Sequence, residues 1–182
     1  MLYFRAEMKS QIKRNGNFKM AHQFTVNETI HGVSIEDFTR LVAQTSLHEA
    51  VCKRIPGNNL EILESNVNGD IYTLRREYNL DVSIPDVAKK LLKNAFRLKR
   101  SDITNLKNLT STVELGANLP LEAKAERKVT GNSEKVDISL TWNVKVKVPL
   151  IGGMLEKHAE GEIRKFSQLE IEIVEDELKK QL

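Results

Sequence analysis

Between Val136 and Val148 the sequence VDISLTWNVKVKV places an apolar side chain at every even position, the period of a strand with one buried face. Pro149-Leu-Ile-Gly-Gly153 ends that pattern, and from Met154 to Leu182 apolar residues recur every three or four positions, the period of an amphipathic helix. A long half-buried strand is therefore predicted to feed through a short turn into a long terminal helix. That joint points to a curved antiparallel sheet gripping one helix, an architecture suited to enclosing an apolar ligand.

Upstream, Phe24, Val26 and Ile30 alternate with polar neighbours and predict a first strand ending at Gly32. Ser34-Ile-Glu-Asp37 predicts the start of a short helix. The capping box Ser46-Leu-His-Glu49 predicts a second, stopped by Pro56-Gly57. From Leu60 the pattern is that of strands, and Asn68-Gly69 predicts a two-residue hairpin. Beyond it Tyr72, Leu74, Tyr78, Leu80 and Val82 share one face with Arg76 among them, which places that arginine at a mouth or requires a buried partner for it. Pro85 fits the first turn of an inserted helix carrying Val87, Ala88, Leu91, Leu92, Ala95 and Phe96 on one side and Lys89, Lys90 and Lys93 elsewhere. Strand texture returns at 96–106 and in the alternation from Val113 to Ala125, where Gly116 and Pro120 predict a bulge, edge or bend. Gly131-Asn132 turns the chain into the last strand.

The composition is that of an ordinary folded domain: 182 residues, 40% hydrophobic and 29% charged. No apolar run approaches the roughly 18 residues of a membrane span, and the single Cys52 has no internal disulfide partner. A cytoplasmic compartment is expected. The net charge of +3 is concentrated in residues 1–20, where Arg5, Lys9, Lys13, Arg14 and Lys19 face only Glu7. The rest is nearly neutral, which argues against a nucleic-acid partner. Residues 1–19 are read as a basic N-terminal extension, with translation naturally starting at Met20, and 20–182 as a single domain.

The order strand, two short helices, meander and long C-terminal helix resembles the START-like, birch-pollen-allergen-like helix-grip superfamily (SRPBCC, polyketide cyclase-like). The turn Pro149-Leu150-Ile151-Gly152-Gly153 before Met154-Leu155-Glu156, with Ile84-Pro85-Asp86-Val87 at the inserted helix, is similar to one of its uncharacterised bacterial families. The resemblance implies an α+β fold: six or seven antiparallel strands wrapped around the C-terminal helix, two short helices after the first strand, and a cavity between sheet and helix. It transfers no chemistry, because relatives span carriers, receptors, cyclases and hydratases.

For such a cavity Tyr72, Tyr78, Trp142, Met154 and Phe166 are the expected ligand-pocket residues, and Leu91, Leu92 and Phe96 the expected entrance gate. Each also suits plain core packing. The lysines of the inserted helix suit transient contact with anionic lipid. His48 and Cys52, four apart on a helix, could form a base and thiol pair, although burial of a structural cysteine competes. His158 and Glu162 share that spacing and are weak catalytic candidates, with a local surface pair as the alternative. Gly152-Gly153 could approach a phosphate or simply make a tight turn. No metal site and no cofactor are expected. The function expected is non-covalent binding or transport of a lipid or other hydrophobic small molecule by a monomer or homodimer. The alternatives are a cyclase- or hydratase-type enzyme, which requires ionisable side chains converging in the cavity, and an interaction module with a filled core.

Overall fold

A computed structural model describes residues 21–92 and 94–182; the predicted extension 1–19 and Lys93 lie outside the described residues. In chain order the elements are β1 (His22–His31), α1 (Ile35–Leu41), α2 (Thr45–Arg54), β2 (Gly57–Asn68), β3 (Ile71–Leu80), α3 (Asp86–Lys89), β4 (Leu98–Asn105), β5 (Thr110–Ala117), β6 (Leu121–Gly131), β7 (Lys135–Val146) and α4 (Gly152–Lys179). The strands form one seven-stranded sheet in the order β1-β7-β6-β5-β4-β3-β2. All neighbours are antiparallel. This is an α+β helix-grip fold, with the short helices after the first strand and the long helix last. At ~1.5 Å per residue, the 28 residues of α4 give it the reach to cross the concave face of the sheet.

Strict alternation decides which side chains meet α4. In β7 every even residue from Val136 to Val144 is buried, and its register places Trp142 between Phe24 of β1 and Ala125 of β6. Ile30, Val136 and Leu178 are fully enclosed where the C-terminal half of α4 packs down. Burial of each such side chain contributes roughly 1.5–3 kcal/mol. Arg54 of α2 secures that end, donating to Glu177 Oε1 at 2.8 Å and Asp176 Oδ2 at 2.9 Å.

Local chemistry explains most boundaries, and three differ from expectation. Ser34 caps α1 as predicted, its Oγ accepting from Asp37 N at 3.0 Å. The Ser46 box does not form: Thr45 is already helical, Gln44 is an N-cap without a side-chain bond, and Thr45 Oγ1 instead shares a 2.7 Å hydrogen bond with Ser65 Oγ of β2. A contact to the sheet has displaced the local cap. The β2–β3 loop is Gly69-Asp70, one residue later than predicted, since Asn68 pairs with Ile71; Gly69 takes the left-handed conformation at φ +57°. The inserted helix stops at Lys89 and does not continue to Phe96. Its continuation is lost to the β5–β6 turn, where Asn118 accepts from Arg97 N and donates to Ala95 O, both at 2.9 Å. Pro120 lies in that turn, outside the ladder, so its missing N–H leaves no strand pairing broken.

The joint between β7 and α4 depends on close backbone approach. A Cβ on Gly152 would lie 2.6 Å from the Val146 carbonyl oxygen, and Glu156 of the first helical turn accepts from Val146 N at 3.1 Å. Gly152→Ala is therefore expected to cost roughly 1–3 kcal/mol through forced backbone displacement, read as a lower urea midpoint. Gly161→Ala, in the same helix with nothing within 4 Å of an added Cβ, serves as the comparison, and equal midpoints for the two variants would refute the close-approach account.

Candidate functional site

A row of charged side chains crosses the concave face beneath α4, made by ordinary strand alternation. On β3 the inward residues are Tyr72, Leu74, Arg76, Tyr78 and Leu80, and on β4 Leu98, Arg100, Asp102 and Thr104. The register sets Arg76 directly opposite Arg100. Two facing cations repel, and α4 resolves the conflict: Glu170 accepts from Arg76 Nη2 at 2.6 Å and from Arg100 Nη1 at 2.7 Å. Arg100 also grips Asp102 through two bonds of 2.9 Å. Farther along, Thr104, Ser111 and Arg127 are consecutive cross-strand partners on β4, β5 and β6. Arg127 donates to Ser111 Oγ at 2.8 and 3.0 Å and to Thr104 Oγ1 at 2.9 Å.

Burial opposes every charge here, so the balance depends on partners. It pushes the Asp102 carboxyl up, yet Arg100, Arg127 and Arg76 outweigh it and hold the group well below the usual carboxylate range. Burial likewise opposes ionisation of Glu170, which Arg100 and Arg76 nevertheless hold down at about 2. For Arg127 burial wins: with repulsion from Arg100 and Arg76 it outweighs attraction to Asp102 and Glu170, and the guanidinium holds its proton less tightly than usual. His48, stacked on Tyr72 with centroids 5.6 Å apart, is pushed down to about 4 by burial, helped by the charge of Arg76. Its Nε2 lies 2.7 Å from the Val42 carbonyl, which only accepts, so the neutral ring carries its proton there.

Three adjoining cavities of about 100, 100 and 90 Å³ lie under α4. The first is the charged one, where Phe38, Val51, Ile138, Leu140, Ile171 and Val174 complete the wall. The second lies by the inserted segment, bounded by Val82, Ala88, Leu91, Phe96, Leu121 and Leu155. The third joins them: it shares Arg100, Trp142 and Ser167 with the first, and Val82, Phe96 and Glu162 with the second. Together they approach the lower end of the roughly 300–1,000 Å³ typical of ligand sites.

Of the expected pocket residues, Tyr72 borders the first cavity, Tyr78 and Phe166 the third, and Trp142 both. Met154 does not join them. It is 53% exposed because the apolar stripe of α4 turns inward through Leu155 instead. Leu91 and Phe96 border the second cavity, whereas Leu92 is absent from all three linings. His158 and Glu162 are drawn to the same backbone: His158 Nε2 donates to Ser83 O at 2.8 Å, and Glu162 Oε2 accepts from Ser83 N at 3.1 Å. They latch the inserted segment to α4. Cys52 is buried with Arg76 Nη1 at 3.5 Å from its sulfur, while His48 bonds Val42, so each member of that pair has a different partner. Gly152 is used for the tight approach to β7.

Sequence reasoning singled out Arg76 and missed Arg100, Asp102, Arg127 and Glu170. A signal existed. Glu170 follows Phe166 by four residues on the same helix stripe, and Arg127 continues the inward series Ala123, Ala125 by two more.

Residues 25–178 match the family described as "Protein of unknown function (DUF2505)". Comparison with curated proteins finds no match. Among solved structures, a Thermus thermophilus protein superposes with TM-score 0.60 at 14% identity over 88% of this chain and 99% of its own. An aromatase/cyclase from a Streptomyces species gives 0.60 at 13% identity over 88% and 96%. A START superfamily protein from Mycobacterium smegmatis gives 0.57 at 15% identity over 88% and 99%. The fold is that of the START-like helix-grip superfamily; at these identities the likeness concerns the fold alone.

Proposed function

Because the chain belongs to the DUF2505 family of proteins of unknown function, its role has to be read from its own cavity, and we propose that it binds a lipid or other hydrophobic small molecule without chemistry. The observation that carries this reading is the unfilled, mostly apolar space under α4, continuous in its walls from the inserted segment to the charged row. It disfavours an interaction module with a filled core. In this reading Tyr72, Tyr78, Trp142 and Phe166 contact the ligand, and Leu91 and Phe96 guard the entrance, with Ser83 latched by His158 and Glu162.

The convergence of ionisable groups in the first cavity favours a second reading, a cyclase- or hydratase-type enzyme. General acid–base catalysis near neutrality works best with a group that titrates near the working pH. Asp102 and Glu170 are locked as anions in ion pairs, and His48 at about 4 is a weak base. Binding is therefore the primary reading.

The same reading takes 20–182 as one cytoplasmic domain, monomeric or dimeric, with transient membrane contact through the segment around Lys89 and Lys90. Among the described residues no helix is long and apolar enough to cross a membrane.

Native mass spectrometry followed by denaturing extraction tests the proposal: an apolar adduct at one per chain is expected. Ala159, on the wall of the second cavity, supplies the site control. Ala159→Trp should fill that space and lower capture of an apolar fluorescent probe about tenfold or more, since an indole displaces most of a cavity of this size. Undiminished capture in a folded Ala159→Trp variant would place the ligand elsewhere.

A further inference from the structure

We propose that Arg127 anchors the anionic oxygen group, carboxylate or phosphate, of an amphiphilic ligand whose apolar part occupies the cavities under α4; this rests on the binding function proposed above. Three arginines share two carboxylates in the row. All four oxygens of Asp102 and Glu170 are taken by Arg76 and Arg100, at 2.6, 2.7, 2.9 and 2.9 Å. Arg127 is left over. Its Nε and Nη2 bond neutral hydroxyls, and its Nη1 reaches Asp102 Oδ1 only at 3.5 Å, an oxygen that Arg100 Nη2 already holds. With its side chain 18% exposed and bordering the first cavity, Arg127 is an under-neutralised guanidinium beside unfilled space.

A second, independent observation points to the same ligand chemistry. Trp142 Nε1, Arg76 Nε and Tyr78 OH are buried polar atoms without a hydrogen-bond partner among the described residues, and all three residues border the first or third cavity. The first two are obligate donors and the third can donate, so the space presents unused donors beside an excess cation. An acceptor rich in oxygen and carrying negative charge satisfies both. A neutral apolar ligand satisfies neither. Glu28 is the other carboxylate on this wall; it sits on β1, two strands from Arg127, and burial together with Glu172 favours its protonated form more than usual. At ~4.8 Å per strand it stands roughly 10 Å away, across the cavity. Ile138 and Leu140 on the intervening β7, with Val174 of α4 on the same cavity wall, suit a hydrocarbon chain.

Decanoate, decyl phosphate and decanol distinguish headgroup from chain, with affinities measured by displacement of an apolar fluorescent probe. The full chain should bind at least one of the two acids roughly 10- to 100-fold more tightly than the alcohol, the range expected for charge-assisted hydrogen bonds. Arg127→Met should bring the acid-to-alcohol ratio close to one, and Arg127→Lys should retain part of it. Thermal melts establish that the variants are folded, and the wild-type ratio tests the proposal even if neither folds. Equal wild-type affinity for acids and alcohol would overturn the anchor while leaving apolar binding intact. An acid preference that survives Arg127→Met would overturn the assignment to Arg127. Failure of all three probes to bind would remove the cavity reading itself. Inorganic phosphate binding as tightly as decyl phosphate would show an anion site with no use for a chain, and would overturn the amphiphile.

Discussion

Glu170→Gln should lower stability by roughly 3–5 kcal/mol, the cost of removing one partner from a buried ion pair and stranding the other. Glutamine keeps the shape and removes the charge. Arg76, with 3% of its side chain exposed, then loses the carboxylate that holds it at 2.6 Å, while facing Arg100 across the strand pair. Arg100 retains Asp102, so the damage concentrates at Arg76. The same interaction predicts a pH dependence. Glu170 titrates at about 2 against an ordinary value of 4.5, so its folded value is depressed. Its contribution is fully present above the unfolded value and is lost as pH falls from about 4.5 towards 2. One unit corresponds to about 1.4 kcal/mol, so this contribution is of the order of 3 kcal/mol. Urea midpoints of the wild type should therefore fall steeply below pH 5. Glu170→Gln should start lower and lack that part of the slope, whereas parallel profiles would mean that Glu170 does not stabilise the fold through its charge.

The fold was legible because its longest signals were local. Even-numbered apolar residues in β7, the three-and-four spacing of α4 and the turn between them carry the grip without knowledge of any distant contact. The Ser34 cap belongs to the same class, since its partners lie within three residues. What failed was settled by distant segments: Ser65 took the hydroxyl next to the Ser46 box, and Asn118 ended the inserted helix. The charged row failed differently. Alternation alone sends Arg100, Asp102 and Arg127 inward, yet a charged residue inside a strand reads as solvent-facing until a partner is found. Those partners come from the strand registers and from Glu170, 70 residues beyond Arg100. Arg76 stood out because five apolar residues on its face surrounded it. Arg127 sits two residues beyond Ala125, where the apolar alternation of β6 gives way to charge.

Trp142→Ala is the second change expected to have a large effect, and its two consequences have opposite signs. Trp142 is 3% exposed, stands between its cross-strand partners Ala125 and Phe24, and forms wall for both the first and third cavities. Truncation to alanine should cost roughly 3–5 kcal/mol in lost burial and new void. The same void should merge the two cavities, so that a bound chain reaches from the inserted segment towards Arg127 without a partition. Longer amphiphiles should then gain affinity relative to shorter ones even as the protein weakens. Trp142→Phe separates the contributions. It keeps most of the partition and deletes an indole N–H that has no partner among the described residues, so its cost should stay below about 1.5 kcal/mol and the chain-length preference should hold. Chemical denaturation and probe displacement with C8 to C16 acids measure both effects. An alanine variant that loses stability without changing chain-length preference would mean that Trp142 packs the core and does not divide the ligand space.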